Sequence, residues 1–110
     1  SRIHLAEAHE MLGNKIKSKW MESGVTLLDP ASVYIEPDVT IGKDTMIYPG
    51  TTLLGRTKIG ANCVIGPQVK LLNAEIRDEC KIEFSVIENR KIEKNSVIGP
   101  FAFMSGDNDT

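Results

Sequence analysis

Seven aliphatic residues stand six apart along the middle of this chain: Ile35, Ile41, Ile47, Leu53, Ile59, Ile65 and Leu71. A helical face repeats about every 3.6 residues and a strand face every two, so neither element alone calls for this spacing. The residue four places after each aliphatic one is Val39, Thr45, Thr51, Thr57, Cys63 and Val69, until Glu75 interrupts. These small or β-branched types suit short strands. Between them, Pro37-Asp38, Pro49-Gly50 and Pro67-Gln68 fall at one phase, alongside Lys43-Asp44 and Ala61-Asn62. Proline sets φ for the first corner position, and Gly, Asn or Asp tolerates a left-handed second one. Each hexapeptide is therefore one short strand and one corner, which is the repeat of a parallel β-helix.

With three corners to a coil, residues eighteen apart should stack: Ile35, Leu53 and Leu71 on one wall, Ile47 and Ile65 on another. Neighbouring coils would lie about 4.8 Å apart. Past Leu71 the step shortens, with Ile76, Ile82, Ile87, Ile92 and Ile98 five or six apart, and this reads as one-residue corner deletions in an unchanged fold. Cys63 and Cys80 then become inward neighbours on successive coils, close enough for a bridge by Cα distance alone. Two buried thiols are the expectation in a reducing cytoplasm.

Ahead of the repeat, Leu5, Ala8, Leu12 and Ile16 recur at three- and four-residue steps, with Trp20 extending the stripe. This predicts an amphipathic helix stopped by Gly24. Gly13 and Asn14 weaken its centre, Gly by about 1 kcal/mol relative to Ala. The apolar stripe needs a cover, because one narrow stripe does not stabilise a helix alone. The helix reads either as a spacer between domains or as an ordinary packed element. His4 and His9 are five apart, off the i, i+4 spacing of a metal-binding pair, and are expected exposed. Lys15, Lys17 and Lys19 alternate and are expected solvated. The division is thus a linker α-helix over residues 1–24 and a hexapeptide β-helix domain of about four coils over residues 25–110, with residues 25–34 an extended lead-in broken at Pro30.

Thirteen basic against fifteen acidic residues provide no positive field for a nucleic acid. No apolar run reaches the roughly 20 residues of a bilayer span, and no basic-then-apolar leader opens the chain, so a cytoplasmic protein is expected. Asp38 and Asp44 could be imagined as paired carboxylates, but their corner phase explains them. No histidine follows His9, so the repeats carry no general base of that type.

The stretches "SRIHLAEAHEML", "GVTLLDPASVYIEPDVTIGKDTMIYPG", "CVIGPQ" and "SVIGPFA" resemble the bacterial bifunctional N-acetylglucosamine-1-phosphate uridylyltransferase/glucosamine-1-phosphate N-acetyltransferase family, from Ser1 to about Ala102. Hexapeptides occur in many acyltransferases and sugar-nucleotide enzymes; the helix running into "SGVTLLDPASVYI" is the more specific part. The resemblance implies a long helix joining an N-terminal uridylyltransferase domain to a left-handed parallel β-helix that forms a homotrimer. That hand is opposite to the usual one for parallel crossovers. It also implies UDP-N-acetylglucosamine synthesis for peptidoglycan and lipopolysaccharide: acetyl transfer from acetyl-CoA to glucosamine 1-phosphate, then uridylyl transfer from UTP with Mg2+.

In that family the glycine-rich nucleotide loop would lie before Ser1 and the acetyltransferase histidine after Thr110. No catalytic, substrate-binding, cofactor-binding or metal residue is therefore expected here, and the segment is expected to be structural and trimer-forming. Where the family follows "GPFA" with Arg-x-Arg-Pro-Gly, this chain has Phe103, Met104, Ser105, Gly106 and Asp107, without either arginine. Two alternatives remain: a non-catalytic trimerisation or interaction module, and a β-helix appendage of a monofunctional sugar nucleotidyltransferase. A β-helical carbonic anhydrase would need coil histidines, which are missing. The closing "SGDNDT" is polar and offers no apolar face to cap a solenoid end.

Overall fold

The computed structural model describes residues 1–106. Helix α1 (Arg2–Glu22) begins where the Ser1 hydroxyl accepts a hydrogen bond from the His4 amide at 3.3 Å. It ends at Ser23, and Gly24 takes φ +98°, a left-handed value that lets the chain leave the helix. Fourteen short strands follow among the described residues: β1 (Thr26–Leu27), β2 (Tyr34–Ile35), β3 (Thr40–Ile41), β4 (Met46–Ile47), β5 (Thr52–Leu54), β6 (Lys58–Ile59), β7 (Val64–Ile65), β8 (Val69–Leu72), β9 (Glu75–Ile76), β10 (Lys81–Ile82), β11 (Ser85–Glu88), β12 (Lys91–Ile92), β13 (Val97–Ile98) and β14 (Phe103–Ser105).

They pair in parallel as three sheets, β1-β4-β7-β10-β13, β2-β5-β8-β11-β14 and β3-β6-β9-β12. Every third strand is a neighbour, so the chain visits the three walls in rotation. The first wall stacks Leu27, Ile47, Ile65, Ile82 and Ile98. The second stacks Ile35, Leu53, Leu71, Ile87 and Met104. The third stacks Ile41, Ile59, Ile76 and Ile92. The six-residue set is thus the lining of a three-sided column; Leu53, Ile65 and Leu71 are 0% exposed and Ile41 is 6%.

The column has nearly five turns where the rhythm from Ile35 gave about four. The earliest coil was hidden because Leu27 and Ile35 lie eight apart: a 3-10 turn, Pro30–Ser32, widens that corner. Residues 25–34 are therefore part of the solenoid, with Val25, Leu27 and Val33 buried.

Two residues before each inward aliphatic lies a second buried position. Val39, Thr45, Thr51, Thr57, Cys63 and Val69 occupy it, and Ala74, Cys80 and Ser85 continue it once the shorter steps are followed. Glu75 interrupts only a count fixed at six. The threonines are not there for strand propensity, since Thr45 and Thr57 stand just ahead of β4 and β6. Their hydroxyls satisfy corner backbone that the column encloses. Thr45 Oγ1 donates to the Gly60 carbonyl at 2.7 Å and accepts from the Cys63 amide at 3.1 Å. Thr57 Oγ1 donates to the Leu54 carbonyl and accepts from the Ala74 amide. Enclosed polar groups cost free energy unless paired in this way.

Three corners lose a residue: Asn73, Phe84 and Asn89 each turn alone, with φ of 48°, 44° and 53°. The two-residue corners place Asp44, Gly50, Asn62, Gln68, Glu79, Asn95 and Phe101 at positive φ instead. Amides at successive corners donate to the coil before, as in Asn89 N to Leu72 O at 2.8 Å and Phe84 N to Pro67 O at 2.9 Å. The one-residue deletions expected past Leu71 are these three corners.

Helix α1 is covered over only part of its length. Ile16 and Trp20 pack against the core, whereas Leu5 is 61% exposed and Ile3, Met11 and Leu12 are exposed as well. Lys17 is not simply solvated: its Nζ donates to the Pro30 carbonyl at 2.7 Å and the Val33 carbonyl at 3.4 Å, tying helix to first coil. Lys15 and Lys19 are exposed as expected, with Lys19 Nζ 4.8 Å from the Trp20 ring centre.

Candidate functional site

The residue types that could carry chemistry are dispersed by this geometry. His4 and His9 are both exposed on the uncovered part of α1. Asp38 and Asp44 sit at successive corners of one coil, the first between β2 and β3 and the second between β3 and β4, so they do not form one carboxylate pair. Among the described residues, no three His, Cys, Asp or Glu side chains gather as metal ligands.

Cys63 and Cys80 are free thiols inside the column, on neighbouring coils. Each Sγ lies near a carbonyl of the next turn, Arg77 O at 3.2 Å and Glu93 O at 3.1 Å respectively. Burial pushes both thiols above their ordinary value of 9.0. Since the thiolate is the reactive species, burial lowers the reactivity of both thiols. A thiol raised by folding keeps its full contribution below pH 9.0 and loses it as the pH climbs from there through the folded-state value, because the unfolded thiols ionise first. We therefore expect a thiol-exchange reagent to label neither cysteine of the folded chain at pH 7.5, with labelling appearing together with urea-induced loss of the β signal in circular dichroism. Fast labelling in the absence of urea would contradict the buried placement.

What the outside of the column does present is surface for contact. Phe84 and Phe101 turn successive corners between the first and second sheets, their rings 6.1 Å apart at 53°, and Phe101 is 85% exposed. Phe103 and Val97 are also exposed near the last described coil. Phe103 and Ser105 stand where the resemblance led one to look for arginine; both are exposed, while Met104 between them stacks on Ile87. The final "SGDNDT" capping expectation lies mostly outside the described residues.

At the edge between the second and third sheets runs a groove of about 700 Å³, floored by Asn73 and Asn89 and flanked by Arg56, Lys58 and Arg90. Sequence reading missed it, because its walls come from four different coils. The available signal was the break at residue 90: Arg90 holds the position two before Ile92 that small residues hold in every coil from Val39 to Ser85.

Helix, corners and stacked walls together define a hexapeptide-repeat β-helix chain, and the bacterial transferase hexapeptide (six repeats) family matches residues 38–73. The particular proteins it is similar to are bifunctional ones. It is 46% identical over 103 residues to the Bifunctional protein GlmU of Exiguobacterium sibiricum and 49% over 104 residues to that of Clostridium beijerinckii, each match covering 94% of this chain. The identity is 43% over 109 residues, 99% of the chain, with the Bifunctional protein GlmU of Clostridioides difficile. The chain spans about a quarter of the length of these relatives, 23%, 23% and 24%. Matches of such length necessarily run across the junction of α1 with the first coil, the part of the sequence that carried the resemblance.

Proposed function

We propose that this chain is the structural, trimer-forming segment of a bifunctional bacterial enzyme of UDP-N-acetylglucosamine synthesis, working in the cytoplasm and supplying peptidoglycan and lipopolysaccharide precursors. In that reading the larger protein transfers acetyl from acetyl-CoA to glucosamine 1-phosphate and then uridylyl from UTP with Mg2+, and α1 joins a uridylyltransferase domain to the column. The observation that carries the reading is the similarity to GlmU proteins over 94% of the chain or more. The rigid three-walled column suits a scaffold, and the exposed aromatic corner at Phe84 and Phe101 supplies apolar area that association with further copies would cover. No helix among the described residues is long and apolar enough to cross a membrane.

Sedimentation equilibrium is the direct test of assembly. The expected mass is three times the 12.1 kDa of one chain, and a single-chain mass at high concentration would overturn the trimer. A second reading, a non-catalytic module, draws support from the lack of both arginines at residues 103–107. Assay of the larger protein separates the cases. Both transferase activities support the first reading, uridylyl transfer alone indicates a monofunctional nucleotidyltransferase with a β-helix appendage, and neither activity indicates the module. Acetyl transfer by the 110-residue chain alone would defeat the structural role.

A further inference from the structure

The groove between the second and third sheets opens where the corners shorten. At this edge the second coil turns through Gly55 and Arg56, whereas the third and fourth turn through Asn73 and Asn89 alone. The floor is held firmly: the Arg56 amide donates to Asn73 Oδ1 at 2.9 Å, the Gly55 amide to Glu36 Oε1 at 2.8 Å, and Asn73 Nδ2 to Asn89 Oδ1 at 3.5 Å. Above this floor stand Arg56, Lys58, Arg90 and Lys91, against Asp38 and Glu75. Glu75 is already engaged, its Oε2 lying 3.1 Å from Arg77 Nη2 and accepting from Arg77 Nε at 3.1 Å. Arg56 and Lys58 make no ion pair among the described residues. A chain with net charge −2 thus concentrates cations along one cleft.

Arg90 is the decisive residue. Its backbone is in register with Thr57 and Ala74: the Glu75 amide donates to Arg90 O as the Lys58 amide does to Ala74 O and the Thr40 amide to Thr57 O. Those positions hold small buried side chains, yet here an arginine is half-buried, and its Nε is fully enclosed without a hydrogen-bond partner among the described residues. An enclosed guanidinium N–H with no acceptor is costly, and it marks this guanidinium as short of acceptors among the described residues. A guanidinium's preferred partner is a planar or tetrahedral oxyanion.

We propose that this groove binds a small oxyanion, a phosphate or carboxylate group, held by the groove-lining guanidinium of Arg90 with Arg56 and Lys58 as the flanking charges. The coils carrying Arg56 and Arg90 are two steps apart, about 10 Å along the column, a span the long side chains close around one ligand group. The site involves none of the residues of the proposed transferase chemistry and stands or falls apart from it.

The test is a titration of the full 110-residue chain, labelled with 15N in its arginine side chains, with inorganic phosphate at constant ionic strength. Sodium acetate is the second titrant, and the Arg90→Lys variant assigns the Arg90 Nε–Hε signal. The expected result is a saturable shift of that signal with a dissociation constant of about 1 mM. In the Arg56→Gln/Lys58→Gln variant, which changes only outward side chains, binding weakens about tenfold while the melting temperature stays put. A response to phosphate alone assigns the site to a phosphate dianion; a response to both titrants assigns it to oxyanions generally, including carboxylates. Absence of a saturable shift by about 50 mM phosphate, or an equal shift in the double variant, would overturn the proposal.

Discussion

Leu71→Ala lowers the free energy of unfolding by about 3–5 kcal/mol, as read from urea denaturation. Leu71 is 0% exposed and lies between Leu53 and Ile87 on the second wall, covered by coils on both sides. The column is too narrow to collapse around a lost isobutyl group, since each inward residue is the whole width of its wall at that level. The loss is therefore that of burial plus a cavity, against a total stability of about 5–15 kcal/mol for a chain of this size. Ile92→Ala is the comparison. Ile92 pairs with Ile76 on one side only among the described strands, so its truncation should cost clearly less. Equal and small effects at both sites would mean that the interior is not packed as described.

Gly42→Ala should be nearly as damaging for a different reason. A methyl there would meet main-chain atoms of the next coil, Gly60 O at 2.5 Å and Ala61 N at 2.6 Å. Gly42 also donates its amide to Ile59 O at 2.7 Å, so the coil cannot move away without stretching that bond. Overpacking costs about 1–3 kcal/mol, and a clash with main-chain atoms that cannot rotate away falls at the upper end of that range. The matching control is Gly13→Ala in α1, where nothing lies within 4 Å of the added methyl. That change should stabilise by about 0.5–1 kcal/mol, the helix-propensity difference. Thermal unfolding of the two variants should therefore shift in opposite directions, and a Gly42→Ala chain that melts like the parent would show that the coil spacing is looser than drawn.

The column was legible in the sequence because its two constraints are local. One residue must point inward per wall, and one turn must follow it, so Ile35 to Leu71 betray the period directly. The position two before each aliphatic was visible as a residue class, but its role was not: the hydrogen bonds that the Thr45 and Thr57 hydroxyls accept come from the next coil, eighteen and seventeen residues away. The first coil escaped notice because the Pro30–Ser32 turn lengthens its corner and breaks the count. Lys17 looked like any helix lysine, since its acceptors, the Pro30 and Val33 carbonyls, are defined only once the first coil folds beneath it. The same holds for the groove: Arg56, Asn73 and Arg90 have no relation in the one-dimensional text, and they meet only because shortened corners bring unequal segment lengths into step.

Those shortened corners carry a wider consequence. Eighteen residues separate Leu53 from Leu71 and sixteen separate Leu71 from Ile87, yet the wall passes through all three without a fault. A deletion is absorbed within its own bend and never reaches the strand beyond, because amides at successive bends rejoin the level below. Length changes in such a chain are thereby converted into relief on the outside, so that clefts can be carved or filled by gain and loss of single residues while the interior keeps its order.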